Sequence, residues 1–439
     1  MPIFSQDFEY TYEGQILTYN ITSKVDKTCQ VRSDKFLSGS VVIPATASYG
    51  GDAYTVTAIS TYAFAGSVDL KEVIIPNTVA TIGDCAFYYC HALNSVVIPN
   101  SVIHIGMQAF YGCEELTELM LPSSLKSIGY MAFSYCIGLT EVTIPKSVTT
   151  IVENPFAGCF WLTTINVEAD NEAFTAVDGL LYSKDMTELI AFPNVRSSVD
   201  IPASVTTIGD DAFRDSWALT EVTIPSTVTS IGSGAFTYCN HLASVTIPNS
   251  ITRIGYMTFF DCAELTDVSI PNSVTEIGEF AFYYCSRLTE LSIPSSVTVI
   301  GDNAFRGCRG VTSVTIPASV AYIGQEAFVA CDNLNSVYYA ATEPISGSDD
   351  IFEVYATATL YVPEEAVAKC KTIDPWKNFA KIEAHDFAGV EELPTYIDDE
   401  KACEVYDLNG VRIANTTDNL APGLYIVRQG PTAKKIAVI

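Results

Sequence analysis

Basic residues are scarce in this chain: 23 Lys and Arg stand against 51 Asp and Glu, a formal net charge of −28. That balance excludes nucleic acid and anionic membrane surfaces as partners, since both are recognised through basic patches. Long apolar runs are missing too. No stretch approaches the ~18 residues of a spanning helix, which excludes membrane insertion by that route. Histidine is rarer still: His91, His104 and His241 fall at non-equivalent points of the repeat described below, and His385 is the fourth. The strings G-x-S-x-G, G-x-x-x-x-G-K, G-x-G-x-x-G and H-E-x-x-H do not occur, so catalysis has no motif to rest on. An EF-hand loop string is absent, and Asp170, Glu172, Asp178 and Asp185 lack an ordered ligand spacing. The expectation is a protein that is not an enzyme and holds neither cofactor nor metal.

What is present is periodic. Apolar residues make up 48% of the chain, with 24 Tyr and 22 Phe, which rules out general disorder. Every 23 residues the phrase L-T-x-V-x-I-P-x-S-V-x-x-I-G-x-x-A-F-x-x-C returns. Its prolines fall at Pro76, Pro99, Pro122 and Pro145, then from Pro202 to Pro317; its phenylalanines run from Phe64 to Phe156 and from Phe213 to Phe328. A unit of this length cannot bury its own apolar face, so the units must stack. The fold class is a repeat solenoid, mostly β with short helical turns.

Within one coil, Glu141, Val142, Thr143 and Ile144 alternate polar and apolar, the signal of a strand with one face inward. Pro145 ends it, because proline cannot donate to the ladder. Val148 and Ile151 return to the core, a glycine such as Gly129 or Gly209 allows a turn, and Ala-Phe reads as a short helical or 3₁₀ turn. Stacked coils should form a parallel sheet at about 4.8 Å spacing and a curved rod roughly 60 Å long. Nine cysteines, Cys90, Cys113, Cys136, Cys159, Cys239, Cys262, Cys285, Cys308 and Cys331, follow a Phe by three residues. They read as a column of small buried thiols donating to neighbouring carbonyls, and Ser216 at the same position suggests that a small donor is what the site needs. Disulfides are the rival reading, disfavoured because parallel Cβ vectors one rung apart exceed the roughly 3.8 Å of a bridge. Zinc lacks a C-x-x-C pair.

Residues 1–40 break the period and read as an antiparallel β cap over the first strand, shielding an exposed edge. The solenoid is expected over 41–385. It is lengthened near Ala45 to Tyr54 and again over 169–201, where Val177 to Tyr182 and Glu188 to Phe192 flank Ser183, Lys184 and Asp185 as a hairpin. From about 337 to 385 the phrase decays toward Trp376, Phe379 and Ile382, a closing cap. Residues 386–400 read as an acidic linker and 401–439 as a small β module with strands at Cys403 to Tyr406, Val411 to Ile413, Leu424 to Val427 and Ile436 to Ile439, Asn409 and Gly410 forming a turn.

The repeated phrase, from about Val41 to Ile382, resembles the BspA-like leucine-rich repeat proteins, also called the Treponema pallidum type. The resemblance implies a leucine-rich repeat solenoid with its parallel sheet on the concave face. It also implies a secreted or cell-surface bacterial protein associated with adhesion to host or microbial proteins. Met1 to Tyr10 lacks the basic and apolar regions of a signal peptide, so an export leader is expected to lie outside this sequence. The final segment resembles the C-terminal sorting domains of type nine secretion cargo in Val405 to Gly410, in Pro422 to Ile426, and in Lys435 and Ile436. A plain β module is the alternative there.

The outward strand positions carry the candidate binding residues. One column reads Glu72, Ser95, Glu118, Glu141, Thr164, Glu221, Ser244, Asp267, Glu290, Ser313, Ser336, six of its eleven members acidic although like charges on adjacent rungs repel. The other begins with the apolar Ile74, Val97 and Met120 and ends at Tyr338. The binding set is therefore Glu118, Glu141, Glu221, Asp267, Glu290, Ile74, Val97, Met120 and Tyr338, set against the plainer reading that carboxylates and Thr simply keep a strand face soluble. A host extracellular or microbial surface protein, preferably a basic one, is the expected partner. The alternative is a glycan-capture or structural module, whose sign would be an exposed row among Trp161, Trp217 and the tyrosines that follow Phe.

Overall fold

The computed structural model describes residues 6–33, 35–289 and 291–387, the side chain of Asp267 excepted, and the backbone of four later strands. It forms two compact units, Met1–Glu383 and Ala384–Ile439. The first is a parallel β solenoid. Its N-terminal strands Asp7–Tyr12, Gln15–Ser23 and Thr28–Arg32 make an antiparallel meander whose Phe8, Leu17, Tyr19 and Val31 are buried. The last of these strands pairs in parallel with Asp52–Ile59. The outer strand of the main ladder, Ser38–Val42, is covered differently: Gln15 accepts from the Val42 amide through its side-chain oxygen and donates to the Ser40 carbonyl.

Each coil has three sides, and in most coils all three bond to the next. The first is the expected strand ladder, such as Glu141–Ile144 beside Thr164–Val167, with Val142 and Ile144 inward. Proline ends each strand with a turn whose carbonyl accepts the amide three residues on, as Pro145 does from Val148. The second side is a further parallel ladder of two-residue strands, Thr81–Ile82, His104–Ile105, Ser127–Ile128 and Thr150–Ile151. The sequence reading had one sheet. The glycine that follows is needed for closeness rather than for a special turn: a Cβ on Gly129 would lie 2.5 Å from the Met107 amide nitrogen. The third side corrects the helical reading of Ala-Phe. Cys85, Phe87 and Tyr89 donate to Met107, Ala109 and Tyr111 of the next coil, while Ala86, Tyr88 and Cys90 donate within their own turn. A helix would keep every amide inside the coil. This chain of β-turns instead shares half of them with its neighbour, at the cost of left-handed backbone at residues such as Cys85 and Tyr89.

The Phe rings stack along this third side, Phe64 on Phe87 at 5.2 Å and Phe282 on Phe305 at 5.3 Å. Each ladder thiol donates to the Phe carbonyl 26 residues earlier, Cys90 to Phe64 at 3.1 Å and Cys262 to Phe236 at 3.2 Å. Among the described residues, twelve cysteines are free and buried, and burial pushes thiols such as Cys90 and Cys159 up to about 12. The inference from Ser216 does not hold, because its buried hydroxyl finds no partner. Size, not donation, is what that position shares with the thiols.

At the C-terminal end Thr359–Val362 extends the main ladder, followed by a short α-helix, Glu364–Cys370, and a strand, Lys381–Ala384. Trp376 lies fully buried on Tyr339 at 4.1 Å and donates its indole N–H to the Ile345 carbonyl. In the second unit, Arg412–Ala414, Glu404–Tyr406, Gly423–Gln429 and Thr432–Val438 form an antiparallel sheet in that order. The Asn409–Gly410 turn and most of the linker lie outside the described residues.

The 169–201 insertion is a seam. Val177 to Tyr182 is not one strand: Asp178 and Gly179 turn the chain between Phe174–Val177 and Leu180–Ser183, and Glu188–Ala191 then rejoins the short ladder beside Thr207–Ile208. Buried apolar side chains fall into two clusters that meet here. The third-side ladder is interrupted too. The Phe156 amide bonds to Asn154 Oδ1 of its own coil, and Asn154 Nδ2 reaches the Asp211 carbonyl at 3.1 Å. Tyr130 donates to Asp211 Oδ2 at 3.0 Å and Tyr135 to Asp215 Oδ2 at 2.8 Å, spanning some eighty residues of chain. Arg214 pairs with Asp211 at 3.1 Å and approaches Asp215 at 3.7 Å. Two buried carboxylates thus face one guanidinium, and burial raises Asp215 to about 6.

Two outcomes are expected. In thiol titration of native protein without reductant, the twelve buried cysteines should stay silent and react only after unfolding; rapid native modification of several would refute the thiol column. Asp215 binds its proton more tightly folded than unfolded, so its contribution to stability falls as pH rises from about 4 through 6. Asp215→Asn, which keeps an acceptor for Tyr135, should therefore melt higher than wild type at pH 8 and converge with it near pH 4.5; a pH-independent difference would contradict the assignment.

Candidate interaction surface

The main ladder sets its outward residues in rows. Ile74 stands in register with Val97, Glu141 with Thr164, and Glu221 with Ser244 and then Asp267. Ile74, Val97 and Met120 are 46%, 70% and 82% exposed, far from the usual fate of such side chains on a solvated strand. Tyr338 is removed from them near the C-terminal cap, half-buried and stacked on Tyr361 at 4.8 Å. Glu290 lies outside the described residues, and Asp267 is placed by its backbone alone.

Elsewhere on the solenoid, several opposite charges one rung apart pair, Arg253 with Glu276 at 2.8 Å, Arg309 with Asp332 at 3.3 Å, and Arg287 with Glu264, and His91 Nδ1 lies 2.9 Å from Glu114. Among the described residues Glu118, Glu141 and Glu221 are exposed and have no such partner. Their charge faces solvent uncompensated.

The ladder also has an opening that sequence reading missed. Ser95–Val97 and Glu141–Ile144 are strands, yet the coil between them contributes none. Among the described residues, no backbone hydrogen bond joins Glu118–Leu121 to either side. Its side chains keep the strand alternation, Leu119 buried between exposed Glu118 and Met120. The cause is legible afterwards: Leu119, Met120 and Leu121 stand where sister coils carry β-branched Val, Thr and Ile, which suit a strand better. A cleft of about 670 Å³ lies between this segment and Thr140–Thr143, lined by Glu118, Met120, Glu141 and Glu168. A second, of about 660 Å³, lies on its other side between Met120 and Val97. The structure therefore brings Glu118, Glu141, Val97 and Met120 together and leaves Glu221, Asp267 and Tyr338 in other sheets.

Aromatic side chains gather on the turn side. Tyr88 stacks on Tyr111 at 5.0 Å, Tyr111 meets Tyr135, and exposed Trp161 sits edge-on to Trp217 at 6.4 Å. Trp217 is held by its own indole N–H on the Phe160 carbonyl. Among the described residues there is no cluster of metal-binding side chains, and no helix is long and apolar enough to cross a membrane.

Stacked coils of one length, a strand ladder on one side and a Phe column on another define a leucine-rich repeat solenoid. The profile of the BspA type leucine rich repeat region matches residues 57–177 and 191–309, more than half of the sequence, and the chain belongs to that family. The gap between the two matches falls in the 169–201 insertion. Among solved structures, the pneumococcal vaccine antigen PcpA is 23% identical with a TM-score of 0.61, covering 86% of this chain and 99% of its own. A leucine rich cell surface protein from Faecalibacterium prausnitzii is 28% identical with a TM-score of 0.51, covering 78% and 95%. A search of curated protein sequences finds no match. No catalytic family is indicated.

Proposed function

We propose that this chain is a non-enzymatic adhesin, secreted or displayed on a bacterial surface, that captures host or microbial proteins through its main strand face. The observation that carries this reading is the row of exposed column carboxylates, Glu118, Glu141 and Glu221, on the main strand face, which have no basic partner among the described residues. Uncompensated charge costs little in water, but it selects a basic partner and speeds encounter. The likeness to a cell surface protein of F. prausnitzii supports display, and the C-terminal antiparallel sheet, with its resemblance to sorting domains, supplies an export element. A glycan-capture reading rests on Trp161 and Trp217; a glycan array run beside a panel of extracellular-matrix proteins separates the two, and signal on glycans alone would overturn protein capture.

For whichever protein of that panel binds, replacing Glu118, Glu141, Glu221 and Glu290 by Gln and Asp267 by Asn should lower the association rate about tenfold at low salt and flatten its salt dependence, with melting unchanged. Unaltered kinetics would move the contact off the strand face. Removing Lys401 to Ile439 should leave the solenoid folded, since its contacts run from coil to coil, and abolish surface display. Normal display of the truncated chain would reduce the segment to a β module with no export role.

A further inference from the structure

The opening at Glu118–Leu121 has the attributes of a slot for one strand of polypeptide. Strands of the main ladder normally satisfy their peptide groups from both neighbours, and a peptide group left without a partner is costly unless water or a ligand reaches it. Here the peptide groups of one rung are unbonded on both sides, and a cleft adjoins each side. An exposed ladder edge is a template for a further strand. The two clefts differ in chemistry. On the C-terminal side Glu118, Glu141 and Glu168 supply carboxylates, and neither cleft is lined by a Lys or Arg. On the N-terminal side Val97 and Met120 present apolar surface at 70% and 82% exposure.

We propose that this slot binds an extended segment of a partner protein that carries a basic side chain and, two residues on along the same face, an apolar one. Its backbone would bond to the free peptide groups of Glu118–Leu121. Its Lys or Arg side chains would lie over Glu118 and Glu141, and its apolar side chains against Val97 and Met120. This deepens the protein-capture reading and rests on it. The carboxylates confer charge selection along the whole face, whereas the slot confers a fixed register. Glu221 and Asp267, on a ladder whose strands are paired, have no part in it.

Hydrogen–deuterium exchange on the intact protein tests the premise. Amides of Glu118–Leu121 should exchange at least about 100-fold faster than those of Val142 and Ile144, which sit in a paired strand. Equal protection would show that the slot does not exist. The ligand is then tested with a blocked peptide of about seven residues that repeats Lys-Thr-Val-Thr, so that Lys and Val share one face, and with its backbone N-methylated twin. The first should bind saturably and protect the Glu118–Leu121 amides, and the twin should not. Met120→Lys should weaken binding at least tenfold, whereas Asp267→Asn should leave it within twofold. No saturable binding, or equal binding by the N-methylated peptide, or indifference to Met120→Lys would each overturn the slot. These outcomes stand apart from the panel result: peptide binding without capture of any panel protein would keep the slot and sink the adhesin reading.

Discussion

Every side of this solenoid depends on one constraint, that a coil must offer its amides and carbonyls at the height where the next coil needs them. Strand ladder, short ladder and turn chain all bond between coils. A coil that is too long or too short on one side therefore has to be compensated on that side. This explains why glycine recurs after the short ladder, where the neighbouring backbones leave no room for a Cβ. It also explains why left-handed backbone is accepted at Tyr89, Tyr135 and Tyr284. The strain at each is repaid by an amide that reaches the next coil, as Tyr89 reaches Tyr111.

The insertion shows what compensation looks like when the constraint fails. Its meander restarts the short ladder at Glu188–Ala191, beside Thr207–Ile208, but gives up the full turn on the Phe side. Side chains then do what backbone does elsewhere. Asn154 satisfies the Phe156 amide and bridges to the Asp211 carbonyl, while Tyr130 and Tyr135 reach across to Asp211 and Asp215. Arg214 is what makes two buried carboxylates tolerable there; without it both would face only dipoles, and removing one partner of a buried charge group commonly costs about 3–5 kcal/mol. The two apolar clusters are thus joined by a polar clasp rather than by continuous packing.

Much of this was legible in the sequence because repetition amplifies weak signals. Nine copies of Val-x-Ile-Pro establish a strand that one copy would only suggest, and eleven periodic Phe residues establish a buried column. The helical reading of Ala-Phe-x-x-Cys failed because sequence spacing does not reveal where amides point, and half of those amides leave the coil. The clasp was hidden for a different reason. It depends on single residues: Val152 in place of glycine, then Asn154, and aspartates far along the chain. The opening at Leu119–Leu121 was within reach, because loss of β-branching at three positions of one rung is visible in the aligned repeats. It passed unnoticed because those residues satisfy the apolar pattern. Of the candidate binding residues, exposure of Met120 follows from alternation alone, while the unpaired state of Glu118 and Glu141 needed the positions of every neighbouring cation.

Departures from the repeat divide by what replaces the missing bonds. At the insertion, side chains of the same molecule, Asn154, Tyr130 and Tyr135, bridge across the interruption, which is the signature of a structural repair. At Glu118–Leu121 nothing within the described chain takes up the bonds, and the surrounding carboxylates are left unneutralised as well. A repaired departure serves the stack. An unrepaired one lowers the stability of its own rung, and where clefts adjoin it on both sides, that is where a bound partner has most to contribute.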